Sequence, residues 1–190
     1  YSAIVGGTGN SINGGGTYAF IGGGFENTSS GTRSAIVGGQ NNNIEAGANY
    51  GAILSGTNND ITASGNYSVI LGGQGSTAGN QSSVIGGFFN ESQSAYTAIF
   101  GRSNTIGTTA NASNINGGQN NEVYGTCSTI SGGYNNIITE DANSSVISGG
   151  RGHTATGSNS FIGGGQKNVV TSVNSAIGAG SGHNVSGSYG

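Results

Sequence analysis

Apolar residues recur along this chain in a short phrase that is repeated twelve times. In the first copy, residues 1–12 (YSAIVGGTGNSI), the central Ile4 is followed by a glycine three positions later, an asparagine six later and a second isoleucine eight later. We call the central residue of each copy the anchor, and number the other positions relative to it. The twelve anchors are Ile4, Ile21, Ile36, Ile53, Ile70, Val84, Ile99, Ile115, Ile130, Ile147, Ile162 and Ile177. Copies this short cannot bury a face alone, so their regular return predicts a stacked solenoid.

The pattern inside each copy predicts β-strands. Residues 34–38 (SAIVG) alternate small, variable, apolar, variable and glycine positions, which is the period of two of a strand. Glycine and asparagine between the strands predict corners with positive φ, and the absence of proline fits strands that are paired on both sides. We therefore predict an all-β, parallel β-solenoid (β-helix or β-roll) of about twelve coils of 14–17 residues, continuous over residues 1–190. At ~4.8 Å per coil the rod would be roughly 55–60 Å long.

Three inward columns define the predicted interior. The anchors form a core ladder, a second aliphatic column lies eight positions later, and small residues, mostly serine, lie two positions before each anchor. Six positions after the anchor is an asparagine ladder: Asn10, Asn27, Asn42, Asn59, Asn90, Asn121, Asn136 and Asn168. Stacked amides can bond along the solenoid axis, and asparagine tolerates the left-handed backbone of a corner. A row of ligand-binding amides is the alternative, but a structural ladder explains the column without a ligand.

Two outward columns carry an apolar stripe that stops partway along the chain. Its members, three positions before and one position after the anchors, are Tyr1, Val5, Tyr18, Val37, Tyr50, Leu54, Tyr67, Leu71, Ile85, Tyr96 and Phe100. Later coils carry Asn, Ser, Gly, Ala or Cys there, so a change of packing is expected near residues 100–115. An exposed apolar stripe usually marks an interface, the alternative being scattered surface apolars. We expect self-association, as a parallel homotrimer.

Composition and charge restrict the chemistry of the chain. Only 6% of the residues are charged and the net charge is -3, so nucleic-acid binding is not expected. The acids are scattered over different coils, and His153 and His183 lie two coils, about 10 Å, apart. We therefore expect no enzyme activity, no cofactor and no metal site. The single Cys127 excludes an internal disulfide, and no apolar run is long enough for membrane insertion. Tyr189 would start a thirteenth coil, so we expect a segment of a longer fibre.

Several phrases resemble known fibre repeats: residues 34–39 (SAIVGG), 66–73 (NYSVILGG) and 174–178 (NSAIG). They are similar to the repeats of trimeric autotransporter adhesin heads, and to the Gly/Ser/Asn-rich repeats in tail or surface fibres of phages and large viruses. The resemblance implies a parallel β-solenoid, commonly trimeric, that serves as an extracellular stalk or receptor-binding head. The coils here are longer and more variable than a strict adhesin-head repeat.

These observations predict an extracellular structural fibre segment on a virion or cell surface that displays loops for host attachment. Contacts with a surface glycan or receptor are expected from corner aromatics: Phe25, Phe88, Phe89, Tyr124 and Tyr134. One alternative is a bacterial trimeric autotransporter-type adhesin head. An alternative from another class is an ice-binding solenoid, which requires a regular outward threonine array, whereas threonine here is scattered.

Overall fold

The computed structural model describes residues 1–187 and confirms an all-β, parallel β-solenoid of about twelve turns. Those residues contain strands and turns but no helix, and hence no helix able to cross a membrane. The predicted position of Tyr189 lies outside the described residues. The chain divides into two compact units, Tyr1–Tyr96 and Thr97–Gly190.

Each coil contributes one odd-numbered and one even-numbered strand. Unit 1 holds the strands of coils 1–6, which are β1 (Ala3–Ile4), β2 (Ser11–Ile12), β3 (Phe20–Ile21), β4 (Thr28–Ser29), β5 (Ala35–Ile36), β6 (Asn43–Ile44), β7 (Ala52–Ile53), β8 (Asp60–Ile61), β9 (Val69–Ile70), β10 (Thr77–Ala78), β11 (Ser82–Val84) and β12 (Glu91–Ser92).

Unit 2 repeats this arrangement in coils 7–12. Its strands are β13 (Thr97–Ile99), β14 (Thr105–Ile106), β15 (Asn114–Ile115), β16 (Glu122–Val123), β17 (Thr129–Ile130), β18 (Ile137–Ile138), β19 (Val146–Ile147), β20 (Thr154–Ala155), β21 (Phe161–Ile162), β22 (Val169–Val170), β23 (Ala176–Ile177) and β24 (Asn184–Val185).

Within each unit, odd strands pair with odd strands and even strands with even strands, always in parallel. The register places anchor beside anchor, as Ile36 beside Ile53 in unit 1 and Ile130 beside Ile147 in unit 2. We call the sheet of odd strands the anchor sheet and the sheet of even strands the second sheet. This register follows from the repeat, because a slip of one residue would turn each isoleucine to the outside.

Between the two strands of a coil, one residue forms a third parallel column of isolated bridges. In unit 1 the bridges run through Thr8, Phe25, Gln40, Thr57, Gln74 and Phe88. In unit 2 they run through Arg102, Gln119, Tyr134, Arg151, Gln166 and Ser181. We call this column the bridge row. The bridge row lies four positions after the anchor in each coil except that of Arg102, which follows a one-residue deletion.

The interior is narrow and filled by the predicted inward columns. Eleven of the twelve anchors are buried, while Ile4 is 44% exposed because coil 1 has a neighbouring coil on one side only. The second column is buried at Ile44 and Ile138, and serines such as Ser68 and Ser145 fill the column before the anchor. Most of the small hydroxyl groups bond to backbone carbonyls, as Ser145 Oγ does to Gly157 O at 3.1 Å, so their burial leaves no unpaired donor.

The corners differ from the sequence expectation in one respect. Asparagine of the ladder does not adopt the left-handed backbone; the residue just before it does, as Asn41 with φ of 52° precedes Asn42. A second left-handed residue lies three positions before the anchor, where Tyr18, Tyr50 and Tyr67 have φ of 56–61°. Bulky residues rarely adopt this conformation, so the stacked neighbours must hold it in place.

Candidate interaction surfaces

The asparagine ladder is saturated by bonds within the protein. Asn42 Nδ2 donates to Gly38 O at 3.3 Å, to Gly56 O at 2.9 Å and to Asn27 Oδ1 at 3.1 Å. Its Oδ1 accepts the backbone N–H of Asn59 at 3.1 Å. Equivalent bonds recur along the column, so these buried amides keep the coils in register and offer no open ligand-binding face.

His153 replaces asparagine in this ladder and is fully buried. Its Nδ1 accepts the backbone N–H of Asn168 at 3.1 Å, while its Nε2 has no hydrogen-bond partner. Burial lowers the pKa of the ring, and the nearby backbone of Gly165 and Asn168 opposes this shift only in part. The ring is therefore neutral at neutral pH, with its proton on Nε2. His183, in the same column, is exposed.

In coils 1–5 of unit 1, four tyrosines and Arg33 form a continuous ladder beside the anchor sheet. The rings of Tyr50 and Tyr67 stack with centroids 4.8 Å apart and an interplanar angle of 6°. The Arg33 guanidinium lies between Tyr18 and Tyr50, 5.6 and 5.5 Å from the ring centroids, and donates from Nη1 to Tyr50 Oη at 2.8 Å. Tyr1 extends the ladder at 6.0 Å from Tyr18. Arg33 thus continues the aromatic column as a cation–π rung.

This ladder borders an apolar face that covers the anchor sheet of unit 1. Because side chains alternate along a strand, the positions one before and one after each anchor share the outer side. Val5, Val37, Leu54 and Leu71 are 72%, 56%, 42% and 41% exposed, and Phe20 is 39% exposed. Six coils at ~4.8 Å, each about 13 Å wide over five strand positions, give a face of roughly 400 Å² in projection, a size that is usually functional when exposed.

The predicted stripe is distributed unevenly between the units. Ten members lie in unit 1, where Tyr1, Tyr18, Tyr50, Tyr67 and Tyr96 are exposed and Ile85 is half-buried. Phe100, 37% exposed, is the member in unit 2. The same sheet positions elsewhere in unit 2 hold Asn116, Ser131 and Ser148, which are exposed and polar. Phe20 was missing from the predicted stripe, although the period of two places it on this face.

The predicted corner aromatics are spread over both units. Phe25, Phe88 and Phe89 are exposed in unit 1, and Tyr134 is exposed in unit 2. Tyr124 is half-buried, and its hydroxyl donates to Glu122 Oε2 at 3.0 Å. Phe25 and Phe88 belong to one bridge row but lie four coils apart, so the aromatics of unit 1 do not form a single cluster.

Acidic groups do not gather into a reactive site. Asp60 Oδ1 accepts from Asn43 Nδ2 at 2.8 Å. Burial raises the pKa of Asp60, the Asn43 bond opposes this and nearby Glu45 adds to it. Over residues 1–187 no group of three His, Cys, Asp or Glu side chains could hold a metal ion.

An open depression of about 430 Å³ at the end of coil 1 is lined by residues including Tyr1, Ile4 and Ile12.

The bridge row of unit 2 carries a surface that the sequence prediction missed. Arg102, Arg151 and Gln166 are exposed in this row, and Lys167 is exposed beside it. Aligning the residues four positions after each anchor would have brought them together.

No protein-family model and no curated protein sequence matches the chain.

Proposed function

We propose that this chain is a structural segment of an extracellular fibre, on a virion or a cell surface, which associates with copies of itself through the apolar face of unit 1. The observation that carries the proposal is the contrast between the units. One fold repeats one interior in both, yet the columns three positions before and one position after the anchors are mostly Tyr, Val, Leu and Ile in unit 1 and, apart from Phe100, polar or small in unit 2. Phe161 is an exposed aromatic of unit 2 that lies one position before an anchor. Packing of the interior requires no such difference, so burial against a partner explains it.

A second copy is the partner that fits this face. Within unit 1 the residues of the face are in register from coil to coil, and its cation, Arg33, is already held between two tyrosine rings. A neutral, regular apolar surface is best covered by another of the same kind. The likeness of the repeats to adhesin-head and fibre repeats supports a parallel trimer with cyclic symmetry. Display of the corner aromatics toward a host surface is part of the same proposal.

Light scattering coupled to size exclusion tests self-association. The double variant Leu54→Asp/Leu71→Asp places charges on the apolar face, and we expect it to be monomeric where the wild-type chain is trimeric. The matched control is Ser131→Asp/Ser148→Asp, which introduces the same two charges in the corresponding column of unit 2 and should leave the trimer intact. Circular dichroism establishes that both variants are folded. A monomeric wild-type chain, or equal behaviour of the two variants, would refute the proposal.

A further inference from the structure

The cations of unit 2 all lie at one corner of its coils. Arg102 and Arg151 occupy the bridge row, and Lys167 directly follows Gln166 of that row. All three are exposed. Unit 2 has as many acids as cations, so its formal charge is zero. Its acids, Glu122, Glu140 and Asp141, lie outside the row, and the row itself is therefore positive. We call Arg102, Gln119, Tyr134, Arg151, Gln166 and Lys167 the basic row.

The cations of the basic row are not used by the fold. Among residues 1–187, none of the three forms an ion pair or a side-chain hydrogen bond, and the Arg151 guanidinium lies over the Tyr134 ring, 5.5 Å from its centroid. By contrast, Arg33 of unit 1 bonds to Tyr50 and lies between two rings. Exposed, unpaired cations in a fixed row are available to an anion.

The geometry of the row fits an extended, polymeric anion. Backbone bridges hold successive members one coil apart, so Arg102 and Arg151 are separated by three coils, or about 14 Å, and Arg151 and Gln166 by one. Glycines such as Gly117, Gly132 and Gly149 lie two positions before the row and would meet nothing if they carried a Cβ, which leaves space beside the row. A flexible chain with repeated charges could lie along it.

The glutamines of the basic row indicate that its ligand is a polysaccharide in preference to a nucleic acid. Gln119 and Gln166 each carry both donors and acceptors, which suits hydroxyl groups, while guanidinium groups bind carboxylate or sulfate through paired donors. Single-stranded nucleic acid needs aromatic platforms for successive bases, and the row holds Tyr134 alone, with one guanidinium against it.

We propose that the basic row of unit 2 binds an acidic polysaccharide, carboxylated or sulfated. The bridge row of unit 1 differs from the basic row because none of its residues is a cation. Its residues are Thr8, Phe25, Gln40, Thr57, Gln74 and Phe88. The inference deepens the surface-display role proposed above by naming a ligand class. It does not require the apolar face, because the row lies on another column and in the other unit.

Titration calorimetry tests the proposal with four probes. Polygalacturonate and dextran sulfate are the acidic polysaccharides, dextran is the uncharged control, and an oligothymidylate represents single-stranded nucleic acid. We expect binding to at least one acidic polysaccharide, weakened by salt, and none to dextran. Arg151→Gln should weaken binding about tenfold, the loss of one charge-assisted contact, and Arg102→Gln/Arg151→Gln/Lys167→Gln should abolish it. Asn116→Asp is the matched control: it changes the net charge as Arg151→Gln does, on the anchor sheet of unit 2, and should bind as wild type.

Several outcomes would overturn the proposal: no binding to either acidic probe, binding that the triple variant retains, or tighter binding of the oligothymidylate. The substituted side chains are exposed, so thermal melts should show folded variants. Light scattering on the same samples reports self-association separately. A trimer without polysaccharide binding would therefore refute this inference alone, and a monomer that binds would refute self-association alone.

Discussion

At the residue scale, stability depends on which glycine of a pair is changed. Gly39 has φ of 103°, and an added Cβ would overlap Gly56 O of the next coil and crowd Asn42 Nδ2. Gly38, its neighbour, would present a Cβ to open space. Two adjacent and chemically identical residues therefore have different roles.

We expect Gly39→Ala to lower the free energy of unfolding by about 3 kcal/mol or more, from left-handed strain and overlap together. Gly38→Ala should change it by less than about 1 kcal/mol. Urea denaturation followed by circular dichroism measures both. Similar losses in the two variants would mean that the close approach of coils at Gly39 does not limit stability.

His153 provides a pH-dependent weakness in the ladder. Its pKa is lowered in the folded protein, so the unfolded chain binds a proton more readily. Stability is therefore full above the unfolded pKa of about 6.5 and falls as the pH decreases below it, by at most about 2 kcal/mol between pH 7 and pH 5. His153→Asn should remove this loss and restore the ladder bonds, raising stability at every pH.

Denaturation midpoints measured from pH 5 to pH 8 test this expectation. The matched control is His183→Asn, the same exchange in the same column at an exposed position. If both exchanges had equal effects, burial of His153 would not be the cause of the pH dependence.

At the scale of the element, the coil is the structural unit. Strands of two or three residues have too few bonds to be stable alone, and each gains its bonds from the adjacent coils. Deletion of residues 37–53 joins Ile36 to Leu54 and removes one 17-residue repeat in register. Deletion of residues 37–44 joins Ile36 to Glu45 and destroys the register.

We expect the 17-residue deletion to fold, with the free energy of unfolding of unit 1 reduced by about one sixth. The shorter deletion should disrupt the sheets although it removes fewer residues. Circular dichroism and thermal melting compare the two. Loss of β-structure in both would show that the coils are not interchangeable.

The sequence predicts the interior best at positions where every coil carries the same kind of side chain in the same role. The buried anchors, the serines and the asparagine ladder were all readable as columns, because each coil imposes the same constraint. It missed features that depend on combining columns or on backbone angles. Arg33 joins the tyrosine ladder only through contacts with Tyr18 and Tyr50, and the left-handed residue precedes the asparagine instead of coinciding with it.

At the scale of the whole molecule, a parallel trimer places equivalent residues of the copies at the same height on a common axis. In a Cys127→Ser background, Val37→Cys should therefore form disulfide-linked chains under mild oxidation. Ser131→Cys in the same background lies in the corresponding column of unit 2 and is the control for chance collision. Non-reducing electrophoresis measures the linked fraction.

An antiparallel arrangement would give a different pattern. Val5→Cys and Leu71→Cys, mixed as separate chains, would then cross-link to each other in preference to their own kind. That result would rule out the parallel trimer while leaving self-association in place.

Most of the variation in repeat length lies at one place in the coil. Most anchors are followed by the second strand at a constant distance, as Ile36 by Ile44 and Ile130 by Ile138, whereas the return from second strand to next anchor takes nine residues from Ile12 to Ile21 and six from Ala78 to Val84. That return turn already tolerates extra length without loss of register. It is the natural grafting point for foreign peptide epitopes, which a twelvefold repeat would present in a row at a fixed spacing.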